Sequence, residues 1–264
     1  MTPAHDPDAS LIEQQIRDAG TPSRAASEQN YLKSSMEFSG TTAPQIRAIT
    51  TGWRRQHPDL NRERLIEVVV GLWNGRYFES KGAAMVLLTD RRKLLLAADA
   101  DLVERFMRDA GTWALVDGLA ADVMGSLVQR FPELLPTLDR WASDDNFWIR
   151  RAAMLALLVP LRRGDAANFD RFARYADAML EEREFFIRKA IGWVLRETAK
   201  KQPDLVADWL APRVHRASGV TVREAVKWMP PHQGDPILAA YKESRSTTST
   251  ARPGAHKRAS ANAS

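Results

Sequence analysis

Cysteine is absent from the 264 residues of this chain. Without a thiol there is no disulfide, no thiolate metal site and no cysteine nucleophile. The histidines are scattered without metal-ligand spacing, at His5, His57, His215, His232 and His256. We therefore expect a protein that works without a metal, a cofactor or a histidine-based catalytic triad.

The patterns that mark nucleotide enzymes and membrane proteins are missing as well. The chain has no Walker-type phosphate loop, no glycine-rich dinucleotide fingerprint, no His-Glu-x-x-His and no nucleophile elbow. No apolar run approaches the roughly 18 residues of a membrane span, and the first residues lack the basic and apolar stretches of a signal peptide. We expect a soluble cytoplasmic protein whose chemistry uses carboxylates, cations and aromatic rings displayed on helices.

Positive charge is present, but it is concentrated at one end. The formal net charge is +5, and the stretch from Lys242 onward holds five cations against Glu243, which leaves about +1 for the rest. Binding to a polyanion would therefore depend on where the body places its cations. Residues 1–9 and 244–264 are rich in small and polar residues. We expect two disordered ends, the second one basic, around a single domain at residues 10–243.

A repeat of 38 residues runs through the middle of the chain. One row with this interval comprises Trp113, Arg151 and Lys189. A second row comprises Asp117, Leu155 and Trp193. A period of about 35 to 45 residues with two helices per unit is typical of HEAT and armadillo arrays. Apolar residues recur at helical spacing and no segment alternates like a strand. The sequence therefore predicts an all-α, HEAT-like helical repeat solenoid.

The two rows hold the residues that could carry chemistry. Trp113 and Asp117 are one helical turn apart, and so are Lys189 and Trp193. A carboxylate among apolar residues is rarely buried alone, so Asp117 should either face a groove or be paired. Arg151 and Lys189 occupy equivalent slots and would form a cationic stripe suited to phosphates. The alternative is that these rows form the buried seam between helices.

Other residues are interpreted structurally. The segment Ser143-Asp144-Asp145-Asn146 predicts the start of a helix, where its side chains satisfy free backbone N–H groups. The tryptophans outside the two rows are interpreted as packing residues, namely Trp53, Trp73, Trp141, Trp148, Trp209 and Trp228.

Three segments resemble the AlkD-type DNA alkylation-repair glycosylases. They read TWALVD at 112–117, SDDNFWIRRAA at 143–153 and EFFIRKAIGWVLRE at 184–197, and the resemblance extends over about residues 10 to 240. It implies HEAT-like repeats whose concave, cationic face binds duplex DNA. It also implies hydrolytic removal of N3- and N7-alkylated purines, without the base flipping that most base-excision enzymes use.

The resemblance assigns roles to residues of the two rows. It places the catalytic carboxylate at Asp117, the two indoles that contact the lesion's sugar at Trp113 and Trp193, and a phosphate contact at Arg151. Tyr31 falls in the first DNA-contacting segment. The further expected DNA contacts are the cations Lys33, Arg150, Arg188 and Lys189. The chain departs from the family pattern at Thr42, Ala114 and Val159, which bears on the range of substrates.

The chemistry suits these residue types. An alkylated purine is cationic and already a good leaving group, so Asp117 would mainly stabilise an oxocarbenium-like sugar. The indole faces of Trp113 and Trp193 would attract the cationic sugar and lesion. We expect a monomer whose partner is double-stranded DNA carrying alkylated purines, and which is associated with the nucleoid when bound.

Two other functions fit the same repeats. A non-catalytic relative would bind damaged or structured DNA through Arg151 and Lys189. A HEAT-type protein-interaction scaffold would offer an apolar or acidic groove to a partner helix. Retention of Asp117 with both indoles favours the enzyme, whereas exposed apolar residues within the cationic stripe would indicate the scaffold.

Overall fold

Helices make up the architecture of this chain. The computed structural model describes residues 6–250, with side chains described to residue 246. Over residues 6–250 no strand forms, and the β-type pairing is limited to an isolated bridge between Glu37 and Tyr77. The α-helices are α1 Pro7–Ala19, α2 Pro22–Leu32, α3 Ala43–Gln56, α4 Arg62–Trp73, α5 Phe78–Asp90, α6 Ala100–Asp109, α7 Trp113–Gly118, α8 Gly125–Arg130, α9 Leu135–Trp141, α10 Phe147–Leu155, α11 Leu158–Leu161, α12 Ala166–Met179, α13 Phe185–Ala199, α14 Pro203–Leu210, α15 Gly219–Ala225 and α16 Pro231–Thr250. The predicted all-α class is confirmed.

The first helix begins earlier than the sequence predicts. α1 starts at Pro7, and the Asp6 carboxylate caps it by accepting the N–H of Ala9 at 2.9 Å. Arg64 of α4 donates to Asp6 and, at 2.6 Å, to Asp8. The expected disorder of residues 1–9 is therefore wrong for residues 6–9, because a cap and ion pairs offset the ordering entropy. Residues 1–5 lie outside the described residues.

The last helix also crosses a predicted boundary. α16 continues to Thr250, so the expected disordered tail at 244–264 is wrong for residues 244–250. No glycine or proline interrupts residues 237–250, and the Ser244 hydroxyl donates to the carbonyl oxygen of Tyr241 at 2.8 Å. Helix propagation needs only a compatible residue at each step, so the polar composition does not end it. Residues 251–264 lie outside the described part of the chain.

The chain divides into two compact units, and the division falls between Tyr175 and Ala176, inside α12. In the first unit α5 packs against α3, α4 and α7. In the second unit α13 packs against α14 and α15. The predicted core faces are buried, including Leu65, Val68, Leu72, Leu115, Leu119, Val123, Leu127, Ile187, Ile191, Val194 and Leu195. A single solenoid over residues 10–243 stays a prediction.

Polar contacts recur at about the interval of the repeat, which gives the sequence period a physical basis. Each contact links a side chain to a carboxylate 36 residues away, as in Arg54–Asp90, Trp73–Asp109, Arg140–Glu104, Tyr175–Asp139 and Arg213–Asp177. Successive repeats are thus joined by hydrogen bonds as well as by apolar packing.

The predicted helix start at residues 143–146 is confirmed in a modified form. The cap of α10 is Asn146, whose side chain accepts the N–H of Trp148 at 2.9 Å. Asp144 instead accepts the N–H of Asn146 at 2.9 Å and pairs with Arg108. The aspartate therefore links two repeats while the asparagine begins the helix.

Candidate nucleic-acid site

An ion pair joins α7 to α10 in the first unit. The guanidinium of Arg151 donates from Nε to Oδ1 of Asp117 and from Nη2 to Oδ2, both at 2.7 Å. The side chain of Arg151 is 3% exposed and that of Asp117 is 17% exposed. Two parallel hydrogen bonds fix the direction of the carboxylate. Of the two alternatives that the sequence allows for Asp117, the structure shows the paired one, with a small part of the side chain still exposed.

This pair changes the interpretation of Arg151. The cationic stripe requires its guanidinium at the surface, but the group is buried and turned toward Asp117. The prediction of an exposed cation at this position is wrong, because the repeat spacing identifies a slot without showing where the side chain points. Its contact with DNA stays a prediction.

Aromatic rings lie beside the carboxylate in the same unit. Trp113 is the first residue of α7, one turn before Asp117, and is partly exposed. Its indole meets the ring of Tyr31 edge to face, with centroids 6.3 Å apart and an interplanar angle of 84°. Tyr31, in the last turn of α2, is 73% exposed. We call Tyr31, Trp113, Asp117 and Arg151 the first cluster.

A second cluster lies on α13 and α15 of the second unit. Lys189 and Trp193 are one helical turn apart, and Trp193 is partly exposed. The ammonium of Lys189 donates to Oε1 of Glu224 at 2.7 Å, and Arg196 donates to Oε2. We call Lys189, Trp193, Arg196 and Glu224 the second cluster.

The sequence did not point to Arg196 or Glu224, although two signals were available. Arg196 follows Lys189 by seven residues, which puts it on the same face of a helix. Glu224 follows Lys189 by 35 residues, close to the repeat interval. A search for opposite charges one repeat apart would have found both this pair and Asp117–Arg151.

The electrostatics of the second cluster favour a charged carboxylate. Burial raises the pKa of Glu224, but the hydrogen bond from Lys189 and the charges of Lys189, Arg196 and Lys227 outweigh burial and lower the pKa below its usual value. Glu224 is thus ionised at neutral pH and is faced by three cations.

Two of the arginines predicted to contact DNA donate hydrogen bonds to backbone carbonyl groups of loops. Arg150 donates to the carbonyl oxygen of Asp144 at 2.6 Å, and Arg188 donates to that of Glu182 at 2.6 Å. In both cases the acceptor lies six residues earlier, in the loop before the helix. The equivalent arginines of neighbouring repeats therefore share a structural contact. Their roles in DNA binding stay predictions.

The remaining predicted residues are placed as follows. Lys33 is exposed at the end of α2 with a left-handed φ of 49°. Thr42 caps α3 in a reciprocal capping box with Gln45. Buried tryptophans confirm the packing interpretation for Trp53, Trp73, Trp141 and Trp209. That interpretation is wrong for Trp228, which is 59% exposed.

Neither a metal centre nor a membrane span is found within residues 6–250. No group of three or more histidine, aspartate or glutamate side chains in that range could hold a metal ion. None of the helices described there is long and apolar enough to cross a bilayer.

Within the described residues, each unit of this helical repeat protein carries an ion pair and a partly exposed indole, which defines a class of helical repeat proteins with charged and aromatic groups at the surface. The family model for DNA alkylation repair enzymes matches residues 12–229. This chain belongs to that family, which confirms the resemblance of its three segments.

Solved structures share the fold. One is described as a predicted DNA alkylation repair enzyme from Enterococcus faecalis; it is 24% identical, the match covers 79% of this chain and 96% of that one, and the TM-score is 0.70. Another is AlkD2 from Streptococcus mutans, at 18% identity, with 84% and 99% covered and a TM-score of 0.58. These likenesses show the helical repeat fold. A comparison with curated proteins finds no match.

Proposed function

We propose that this protein is a DNA glycosylase that hydrolyses the N-glycosidic bond of cationic N3- or N7-alkylated purines in duplex DNA. Membership of the DNA alkylation repair enzyme family supports a role in alkylation repair. The observation that carries the proposal is the carboxylate of Asp117, held by Arg151 and one turn from the partly exposed indole of Trp113.

The proposed reaction depends more on stabilising the positively charged sugar than on protonating the leaving purine. The bond between C1′ and the purine nitrogen breaks, and its electron pair leaves with the purine, which becomes neutral. Water adds its oxygen to C1′ and releases a proton. Positive charge on the sugar peaks before water adds, so a fixed negative charge lowers the barrier. In this proposal Asp117 supplies that charge, and Arg151 is the positioning residue that keeps the carboxylate in one direction.

The aromatic residues would bind the substrate. The indole face of Trp113 offers negative potential to a cationic sugar or purine. Tyr31 is exposed and meets Trp113, so it would extend the aromatic surface toward the DNA. In the second unit Trp193 would play the corresponding part on α13. Such a surface selects by charge, which is consistent with a reaction that does not flip the base into a pocket.

The test is release of 3-methyladenine and 7-methylguanine from methylated duplex DNA by the purified protein. We expect Asp117→Asn to lower the single-turnover rate by about 100-fold or more, the usual loss when a group that stabilises transition-state charge is removed. Duplex binding should persist, because asparagine keeps an oxygen for Arg151. Unaltered release by Asp117→Asn would refute the assignment.

A matched control lies five residues further along the chain. Asp122 is exposed on the π-helical segment Leu119–Met124, which directly follows α7. Asp122→Asn makes the same change of charge away from the Arg151 pair, so it should retain excision. A similar loss in both variants would indicate a general charge effect and contradict a specific role of Asp117.

One observation favours a second function, a non-catalytic DNA-binding protein. Both oxygens of Asp117 are engaged by Arg151, so the charge of the carboxylate is balanced inside the protein. This alternative predicts no excision by the wild-type protein together with salt-sensitive binding to duplex DNA. The same excision assay decides between the two functions.

A further inference from the structure

In the second cluster the carboxylate of Glu224 pairs with two cations of α13, one before and one after Trp193 in the sequence. Lys189 and Arg196 are seven residues apart on α13, which is about 10 Å along a helix axis. Glu224 accepts from Lys189 at 2.7 Å with one oxygen and from Arg196 with the other. The carboxylate therefore lies between the two cations, alongside the turn that carries Trp193.

Backbone packing fixes the position of this carboxylate. A Cβ atom on Gly192 would lie 2.6 Å from Cβ of Glu224 and 2.9 Å from the carbonyl oxygen of Thr221. The absence of a side chain at Gly192 thus lets α15 approach α13. The hydroxyl of Thr221 also donates to the carbonyl oxygen of Arg188 at 3.1 Å. Glu224 is placed between the cations by helix packing as well as by its ion pairs.

The cluster carries more positive than negative charge. Lys189, Arg196 and Lys227 all act on Glu224. Arg196 also lies 3.5 Å from the carboxylate of Glu197, which pairs with Lys200 at 2.9 Å. The side chain of Lys189 is 40% exposed, whereas those of Arg196 and Glu224 are 19% and 16% exposed. Lysine is a flexible, hydrated point charge, so it can turn from the carboxylate to an external anion at little cost.

We propose that Lys189 and Arg196 form a binding site for a backbone phosphate of DNA, and that Glu224 is an internal competitor for these cations in the free protein. This inference rests on the proposed function, because its ligand is the DNA that the enzyme would bind. A phosphodiester offers one negative charge and two non-bridging oxygens, so it accepts from an ammonium and a guanidinium as a carboxylate does. When DNA binds, a phosphate replaces the Glu224 carboxylate as the partner of Lys189 and Arg196. Because the carboxylate competes for these cations, Glu224 lowers the affinity for undamaged DNA.

The experiment measures binding of an undamaged DNA duplex to the full chain over a range of NaCl concentrations, for wild type and Glu224→Gln. Glutamine keeps the shape that packs against Gly192 but removes the competing charge. We expect Glu224→Gln to bind about threefold or more tightly at moderate salt. Its plot of log K against log salt should steepen by about 0.9, the value for one additional phosphate contact.

The control variant is Asp177→Asn, which makes the same change of charge in the same unit. Asp177 of α12 also bridges two cations, accepting from Arg213 at 3.1 Å and from Arg216 at 2.8 Å. Asp177→Asn should change affinity by less than about twofold and leave the salt slope unaltered, since its arginines are not the proposed site. An equal gain in both variants would overturn the inference.

A triple variant tests the site directly. In a Lys189→Gln, Arg196→Gln background, Glu224→Gln should give no gain, because the cations it would release are gone. A gain that persists there overturns the inference, and so does weaker or unchanged binding by Glu224→Gln. Far-UV circular dichroism and thermal melting confirm that each variant is folded.

The outcome is separable from that of the proposed function. Purine release by the wild type without tighter binding by Glu224→Gln rejects the phosphate site alone. Tighter binding by Glu224→Gln without any purine release rejects the glycosylase alone. If neither protein binds duplex DNA at low salt, the phosphate site is rejected whatever the excision assay shows.

Discussion

The first and second clusters share two repeat positions, at which Arg151 corresponds to Lys189 and Asp117 to Trp193, but they balance charge differently. In the first cluster Asp117 has one partner, Arg151, whose side chain is only 3% exposed. In the second cluster Glu224 is shared by two cations, and Lys189 is 40% exposed. The first arrangement fixes the direction of a carboxylate, whereas the second leaves one cation, Lys189, accessible to solvent. The two proposals assign these clusters different roles: catalysis for the first cluster and anion binding for the second.

Removing the arginine of the first cluster should have the largest effect on stability. Arg151→Met leaves the mostly buried carboxylate of Asp117 without its partner, and breaking a buried pair costs roughly 3 kcal/mol or more. We expect the free energy of unfolding, measured with urea at pH 7, to fall by about that amount. A change below about 1 kcal/mol would show that Arg151 does not stabilise Asp117 as a buried ion pair.

A double variant sharpens this prediction. Asp117→Asn combined with Arg151→Met leaves no unpaired charge, so it should recover part of the stability lost in Arg151→Met. If the two losses simply add, the pair contributes no coupling, and Arg151 would not position Asp117.

The stability of the second cluster should instead depend on the close packing of α13 against α15. Gly192→Ala adds a Cβ atom 2.9 Å from the carbonyl oxygen of Thr221, so α15 must shift from α13. Overpacking of this kind costs about 1 to 3 kcal/mol, which exceeds the gain in helix propensity of about 1 kcal/mol. We expect thermal unfolding of Gly192→Ala at a lower temperature than wild type.

The control for Gly192 is Gly52, inside α3. A Cβ atom there would meet nothing within 4 Å, so Gly52→Ala should show the propensity gain alone and unfold at a higher temperature. Opposite shifts for the two variants support close packing at Gly192. Shifts of the same sign would contradict it.

Particular residues show how much of the structure the sequence predicts. The interval between Trp113, Arg151 and Lys189 predicts helical repeats, because equivalent positions in stacked helices share an environment. The same interval predicts that Asp117 and the indoles lie on helical faces. It does not predict that Arg151 turns inward to Asp117, since direction depends on a partner 34 residues away. Glu224 likewise pairs with a residue 35 positions away, and only a comparison of charges one repeat apart would predict this pair.

Composition predicts the wrong boundaries for the ordered part of the chain. Asp6 and Asp8 look like part of a polar, mobile segment until Arg64, more than 50 residues away, is placed beside them. Local composition measures the apolar surface a segment can bury, but it ignores distant ion pairs and caps.

A pH experiment extends the comparison to the contacts between repeats. Burial raises the pKa of Glu104, but hydrogen bonds from Arg140, Arg108 and Trp141 outweigh burial and lower the pKa to about 2. A carboxyl group whose pKa is lowered by folding stabilises the fold at pH values above its pKa in the unfolded state. This contribution is lost as the pH falls toward the pKa in the folded state. We expect Glu104→Gln to lower the free energy of unfolding by about 1 kcal/mol at pH 7. This deficit should shrink between pH 4.5 and 2; a deficit that is constant over this range would contradict the assignment.

The smallest effect on stability should come from Lys189, the counterpart of Arg151. Lys189→Met removes one exposed partner of Glu224, which Arg196 still holds, and exposed ion pairs contribute about 0 to 1 kcal/mol. The urea unfolding curve should therefore nearly match that of wild type, in contrast to Arg151→Met. In the Glu224→Gln background, Lys189→Met should nevertheless cancel the expected increase of about 0.9 in the salt slope of duplex binding, because the additional phosphate contact depends on Lys189. A large loss of stability with an unchanged slope would assign Lys189 to the fold rather than to DNA, and the difference between the two clusters would disappear.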